Sequence, residues 1–343
     1  MNDYCKVPRF AVVPGSQVRQ TLAGKEREIV ELVRQTYLLY DAGLALNPPS
    51  YFLRFPDRPS SRIIALPASL GGEEAVDGMK WISSFPENVD RGIPRASAIL
   101  VLNDPETGFP YACMESSIVS ATRTAASAAV GADYLTRGRA LPRRVGFIGA
   151  GLIARYVHTF LVATGWEFDE IGVRDTSLDS AAGFQTYVEG TGEPGRCTIH
   201  ESVGSLIRGS DLIVLATVAS APHIYDVGAF DHHPVVLNVS LRDLSAEVIL
   251  NACNVVDDIE HCLKADTSPH LAEQSLGNRS FVHGTLADVV ESRTVIPTDR
   301  TVVFSPFGMG VLDLAVGQLV HQTVEAAGEL QVVEGFFHEL NRH

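Results

Sequence analysis

Val145-Gly146-Phe147-Ile148-Gly149-Ala150-Gly151-Leu152-Ile153-Ala154 reads as a short apolar strand that runs into G-x-G-x-x-A and then into a helix. Gly149 permits the tight turn and Gly151 lets a backbone come close to a bound pyrophosphate. Ala154 lets helix and strand approach each other, and the helix N-terminus offers unpaired N–H groups to anionic oxygen. The spacing alone is a weak signal, but the strand before it and the helix after it supply the context it needs. About twenty residues further on, a second strand ends in Val173-Arg174-Asp175. A carboxylate there accepts ribose hydroxyls and repels a 2′-phosphate, so Asp175 points to NAD over NADP, with Arg174 the one feature on the other side. The alternative is a sheet of this kind that binds no dinucleotide.

Outward from this motif, apolar β-branched runs at 145–148, 170–174, 212–216, 235–238 and 255–256 alternate with helical segments. Runs apolar on both faces are what helices covering both sides of a parallel sheet require. The expected fold class is therefore α/β, a Rossmann-type doubly wound parallel sheet. A helix over 117–135, rich in small residues, leads into it through Pro142-Arg143-Arg144.

Upstream the pattern differs. Ile29, Leu32, Val33, Thr36 and Tyr40 mark one face of a helix over 25–42, which Gly43 and Asn47-Pro48-Pro49 stop. Strand-like runs follow at 51–55, 62–66 and 75–82, and runs at 98–102 and 110–114 flank the turn Asn103-Asp104-Pro105-Glu106-Thr107-Gly108. This predicts an α+β region with a mixed or antiparallel sheet. A last helix over 311–327 lies beyond the Rossmann part and, with its apolar faces, returns to the N-terminal region. The expected domains are 1–125 with 310–343, and 126–309.

Composition limits the partners. The chain has 343 residues, 45% hydrophobic and 20% charged, and a formal charge of -14. That field repels phosphate polymers and anionic membranes, so neither nucleic acid nor a membrane surface is expected to bind. Cys5, Cys113, Cys197, Cys253 and Cys262 are far apart and form no metal-ligand spacing, which predicts reduced thiols and no metal site. The opening Met1-Asn2-Asp3-Tyr4-Cys5-Lys6 has no charged-then-apolar signal pattern, and no apolar run approaches the roughly 18 residues of a membrane span, so a cytoplasmic protein is expected.

The N-terminal half carries Arg54, Arg62, Lys80, Arg95 and Arg123. Lys80 and Arg123 stand in small or apolar runs, where a charge is costly unless it is paired or meets a ligand. Each is either a structural ion pair or a clamp for an anionic substrate, and their number favours a carboxylate-bearing one. Asp243, after the strand at 235–238, is either a general base at the carboxyl edge of the sheet or an N-cap for the helix that follows. His232-His233 reads as a surface turn, and Ser305-Pro306-Phe307-Gly308-Met309-Gly310 as either a crossover loop at the cofactor or a hinge. Gly149, Gly151, Leu152, Ile153, Asp175, Thr217 and Gly308 are the candidate cofactor contacts.

The stretches Gly78-Met79-Lys80-Trp81, Arg123-Thr124-Ala125-Ala126, Ile148-Gly149-Ala150-Gly151 and 238–243 resemble the ornithine cyclodeaminase/mu-crystallin family over nearly the whole chain. Arg62-Ile63-Ile64-Ala65-Leu66-Pro67, Arg95-Ala96-Ser97, Leu102-Asn103-Asp104-Pro105-Glu106-Thr107, Met114-Glu115 and Val256-Asp257-Asp258 with Cys262 resemble one branch of it more specifically. That branch implies NAD-dependent oxidative cleavage of N-(2-amino-2-carboxyethyl)-L-glutamate to L-2,3-diaminopropionate and 2-oxoglutarate, for a siderophore or peptide natural product. The resemblance further implies that Arg54, Lys80 and Arg123 grip a substrate carboxylate. It makes Asp243, with Lys80, the acid/base pair, and the N-terminal domain the site of substrate binding and homodimerisation.

Two departures separate this chain from the cyclodeaminases. Their Gly-Gly-Asp becomes Leu241-Arg242-Asp243, and a substrate-contacting Glu becomes Ile64. An adduct with three carboxylates needs surplus positive charge, which Arg62, Arg95 and Arg242 are available to supply. Ornithine cyclodeamination, with ammonia released and no net NADH, is the alternative reaction, and a related imine reductase or amino-acid dehydrogenase is a third. A non-catalytic mu-crystallin-like small-molecule binder is the alternative of another class; the many cations argue against it.

Overall fold

The structure is a computed structural model that describes residues 9–338, so Cys5 and the opening six residues lie outside the described part. The described residues form two compact units, 9–123 with 309–338 and 124–308. The division falls inside the helix Ser117–Leu135.

The first unit is built on a mixed eight-stranded sheet. Its strands are β1 (Ala11–Val13), β2 (Ala45–Leu46), β3 (Tyr51–Phe55), β4 (Arg58–Leu70), β5 (Val76–Ser84), β6 (Ala96–Asn103) and β7 (Pro110–Glu115), with a two-residue C-terminal strand, Gln331–Val332. β7, β6, β5 and β4 follow one another as antiparallel neighbours, and β1 joins β7 in parallel. The helices Glu26–Asp41 and Gly310–Ala326 pack together, and the latter lies on β4, β5 and β6. Gly317 makes that approach possible. A Cβ built on it would stand 2.2 Å from Cδ2 of Leu100, which is fully buried and has nowhere to turn. Gly317→Ala is expected to cost about 1–2 kcal/mol net, overpacking outweighing the helix-propensity gain, and chemical denaturation measures it.

The second unit is a doubly wound sheet, and every one of its strands is parallel. β8 (Arg144–Ile148), β9 (Glu170–Arg174), β10 (Arg196–Ile199), β11 (Leu212–Leu215), β12 (Val235–Asn238), β13 (Cys253–Val256), β14 (Val282–Thr285) and β15 (Val302–Ser305) run in spatial order β10-β9-β8-β11-β12-β15-β13-β14. β11, β12, β13 and β15 are buried at every residue, as strands covered on both faces must be. The order reverses between β8 and β11, which places the topological switch point at the carboxyl ends of those two strands. β10, β14 and β15 go beyond the strands expected from sequence. No helix among the described residues is long and apolar enough to cross a membrane.

Candidate functional site

In the second unit the chain leaves β8 through Gly149, whose φ is +95°, and a Cβ there would stand 2.4 Å from the Ala216 carbonyl oxygen. The helix Leu152–Ala163 starts at Gly151 with no side-chain cap and no acidic residue in its first turn. Its first N–H groups therefore lack protein acceptors and carry the positive end of the helix dipole. A Cβ on Gly151 would meet nothing within 4 Å, so that residue's bareness serves open space beside the helix end and not packing. Leu152 is 58% exposed and Ile153 partly so. Asp175 follows β9, its Oδ2 accepting from the Ala150 amide at 2.8 Å and its Oδ1 from the Ser177 amide at 2.9 Å. Oδ1 also accepts from the Thr176 hydroxyl at 3.4 Å while Oδ2 keeps a further lone pair, and the Arg174 guanidinium is turned onto the Asp175 carbonyl. These donors and acceptors fit a dinucleotide's pyrophosphate and ribose.

Thr217 and Asp243 follow the adjacent strands β11 and β12. Asp243 is fully buried. Its Oδ1 accepts from the Thr217 hydroxyl and lies 2.8 Å from His223 Nε2, while its Oδ2 accepts from the Ser240 hydroxyl. The N-cap reading is corrected here: Ser245 caps the helix Ala246–Leu250 by accepting from the Val248 amide. Leu241 takes a φ of +77°, so where the resemblance puts glycine this chain holds a leucine in a left-handed conformation that costs about 1–2 kcal/mol. Arg242, in the second unit, is bound to the Ala265 carbonyl at 2.6 and 3.1 Å, whereas the other candidate cations belong to the first unit.

Gly308, with φ of +93°, is pinned by Asp257, which accepts from the amides of Phe307 at 2.9 Å and Gly308 at 2.6 Å. Burial pushes the Asp257 carboxyl up, against the pull of those amides. His232 and His233 lie in an exposed turn, His232 on the Ser210 carbonyl. Among the described residues no cluster of three or more His, Cys, Asp or Glu side chains could hold a metal, and Cys113, Cys197, Cys253 and Cys262 are free.

The first unit gathers the other cations into two sets. Lys80 on β5 is 1% exposed; its Nζ donates to Asp313 Oδ2 at 2.6 Å and lies 3.2 Å from Ser120 Oγ. Arg123 Nε meets the other oxygen of Asp313 at 3.3 Å. Two cations thus share one buried carboxylate and leave a surplus positive charge. Burial first, and the Arg123 charge after it, lower the Lys80 ammonium to about 8, while Asp313 pulls it back up. Asp313 is the residue that sequence reading missed. Its signal is the one that flags Lys80 and Arg123: a lone charge in an apolar run, Val311-Leu312-Asp313-Leu314.

The second set forms where Arg54 pairs in register with Arg62, Arg62 with Ser84, and the Arg95 guanidinium donates to Ser84 Oγ at 2.7 Å. Arg54 lies over the Phe52 ring, and neither Arg54 nor Arg95 meets a carboxylate among the described residues. Ser84 and Lys80 are four residues apart on β5 and so share a face, roughly 13 Å along the strand. Ile64 shares that face, between Arg62 and Leu66 on β4.

A parallel, doubly wound sheet with a glycine turn into a bare helix N-terminus defines a dinucleotide-binding type of α/β protein. The chain belongs to the ornithine cyclodeaminase/mu-crystallin family, whose profile matches residues 16–328. It is 29% identical to N-((2S)-2-amino-2-carboxyethyl)-L-glutamate dehydrogenase of Staphylococcus aureus, over 78% of this chain and 80% of that one. It is 28% identical to alanine dehydrogenase of Archaeoglobus fulgidus, over 86% and 89%. Among solved structures, that of Thermococcus litoralis Delta(1)-pyrroline-2-carboxylate reductase in complex with NADH and L-proline shares the fold. Its TM-score is 0.86 at 24% identity, covering 94% of this chain and all of the other.

Proposed function

We propose that this chain is an NAD-dependent oxidoreductase of a CH–NH bond that cleaves N-(2-amino-2-carboxyethyl)-L-glutamate to L-2,3-diaminopropionate and 2-oxoglutarate. The balance is amine plus NAD and water giving the two products, NADH and a proton. The observation that carries the reading is the pair of cation sets on one sheet face of the first unit, since an adduct with three carboxylates needs more than one cationic subsite. The staphylococcal relative bears the name of this reaction. Where an acidic residue would greet ornithine's cationic end, Ile64 stands beside Arg62.

Residues 124–308 form the NAD-binding part in this reading, and the first unit binds substrate. Gly149, Gly151, Leu152 and Ile153 receive the pyrophosphate and Asp175 the ribose, with Thr217 and Gly308 toward the nicotinamide. A bound nicotinamide would supply the hydride acceptor for the glutamate-derived α-carbon. Lys80 and Arg123 hold one carboxylate with their surplus charge; Arg54, Arg62 and Arg95 hold the others and fix the carbon's orientation. Lys80, lowered to about 8, and the Asp243 network move the protons that leave the amine and enter with water.

The reverse sheet face supports a homodimer. Tyr51, Ala65, Trp81 and Ile99 align in register across four strands, with Tyr51 73%, Trp81 38% and Ile99 45% exposed, an apolar stripe of the kind that marks an interface. Light scattering tests it by returning twice the 37.0 kDa chain mass.

The deciding experiment mixes the protein, NAD and the adduct and follows NADH absorbance and 2-oxoglutarate. A rise in both is expected; no rise with NAD bound refutes the substrate assignment, and ammonia released from ornithine without net NADH replaces it. Gly151→Ala is expected to leave the unfolding midpoint unchanged and to weaken NAD binding about tenfold or more, a loss of about 1.4 kcal/mol. Calorimetric titration checks it.

A further inference from the structure

We propose that the group taking the substrate proton is His223, through its Nδ1, and that Asp243 is the positioning residue behind it. The proposal rests on the CH–NH oxidoreductase reading and refines its proton-handling step. Asp243 is 0% exposed and both its oxygens are already engaged by Thr217, Ser240 and His223, so it has no open path to an amine. The His223 side chain is 38% exposed. Its Nε2 is 2.8 Å from Asp243 Oδ1, and its Nδ1 has no hydrogen-bond partner among the described residues.

An ionised carboxylate only accepts, so it places the imidazole proton on Nε2 and leaves the Nδ1 lone pair open. The main chain fixes the same geometry. The amides of His223 and Ile224 both donate to the Asp243 carbonyl at 3.0 Å, and Ile224 bridges to Leu244. The other three histidine–carboxylate pairs among the described residues join neighbours three or four positions apart. His223 and Asp243 are brought together across twenty residues, beyond the carboxyl ends of two adjacent central strands, the edge where such sheets place ligands. A histidine enclosed in the core looks different here: His158 is 1% exposed, its Nδ1 meets the Tyr187 hydroxyl at 3.3 Å, and burial lowers it to about 4.

In the step assigned to it, Nδ1 takes the proton of the substrate ammonium, and Asp243 stabilises the imidazolium through Nε2–H. The imidazolium later returns that proton to the departing amine nitrogen as the C–N bond breaks.

His223→Ala is expected to retain NAD binding and KM, to lose kcat about a hundredfold or more, and to recover part of the rate with added imidazole. His223→Gln keeps a donor for Asp243 but has no base, and it is expected to fold as the parent does and stay inactive with or without imidazole. NMR of isotope-labelled histidine in the ligand-free protein is expected to show His223 protonated on Nε2. Parental kcat in His223→Ala, a loss that imidazole leaves untouched, or a proton found on Nδ1 overturns the proposal. A parent inert toward the adduct but active on another amine sinks the substrate assignment instead, and the His223 variants are then judged on that amine.

Discussion

Asp313→Asn is expected to lower the stability of the protein by about 3–5 kcal/mol, because it removes the one carboxylate shared by two buried cations. Lys80 is 1% exposed and the Arg123 side chain 11%, so neither ammonium nor guanidinium recovers its hydration when the pair is broken. The loss should depend on pH in a direction set by Lys80. Its pKa in the folded protein is about 8 against 10.5 for the free side chain, so between those values the unfolded chain binds more protons and stability rises with pH. Removing Asp313 removes the charge that raised Lys80, so the variant's ammonium falls further and sheds its proton earlier. The deficit should therefore be widest near about pH 6 and narrower near about pH 9, as denaturant midpoints of parent and variant measured at both would show. An equal deficit at both would mean that Lys80 carries the same charge in parent and variant across that range.

How far such residues were legible follows from what each signal depends on. The Rossmann part is visible because β8, β9, β11, β12 and β13 carry short apolar, β-branched runs and its glycine turn is local in sequence. β3 and the helix Ser117–Leu135 are visible for the same local reasons. The sequence pattern marks β4 only over 62–66, since prolines at Pro59 and Pro67 interrupt it. Pro67 lies where β4 passes from pairing with β3 to pairing with β2, while it stays in register with Met79 of β5. β1 and β2 have three and two residues, too few for any period to show. β15 is hidden in the sequence because the stretch beside it, from Ser305 to Gly310, reads as loop chemistry.

The site divides in the same way. Lys80, Arg123 and Asp313 announce themselves as charges in small or apolar runs of sequence. His223 has no such mark. It follows Pro222 in a stretch without periodicity, and its partner arrives twenty residues later through a strand and a left-handed Leu241, a pairing that exists only in the folded chain.

Asp243→Asn is expected to bind NAD as the parent does and to lose turnover by about 10²–10⁴-fold. The substitution is nearly isosteric, and the Thr217 and Ser240 hydroxyls that meet the carboxylate can each turn to accept from the new amide, so the fold has little reason to fail. What changes is charge. A carboxamide gives no ionic stabilisation to an imidazolium, and its NH₂ group can present itself to His223 Nε2 and draw the ring into the other tautomer, with its proton on the nitrogen that should receive one. Because Asp243 touches no solvent, the loss should appear in kcat with little change in KM. Two residues that work as one unit are not additive, so His223→Ala added to Asp243→Asn should cost almost nothing more than the worse single variant. Losses that multiply would mean that the two act separately, and parental turnover in Asp243→Asn would remove the carboxylate from the mechanism altogether.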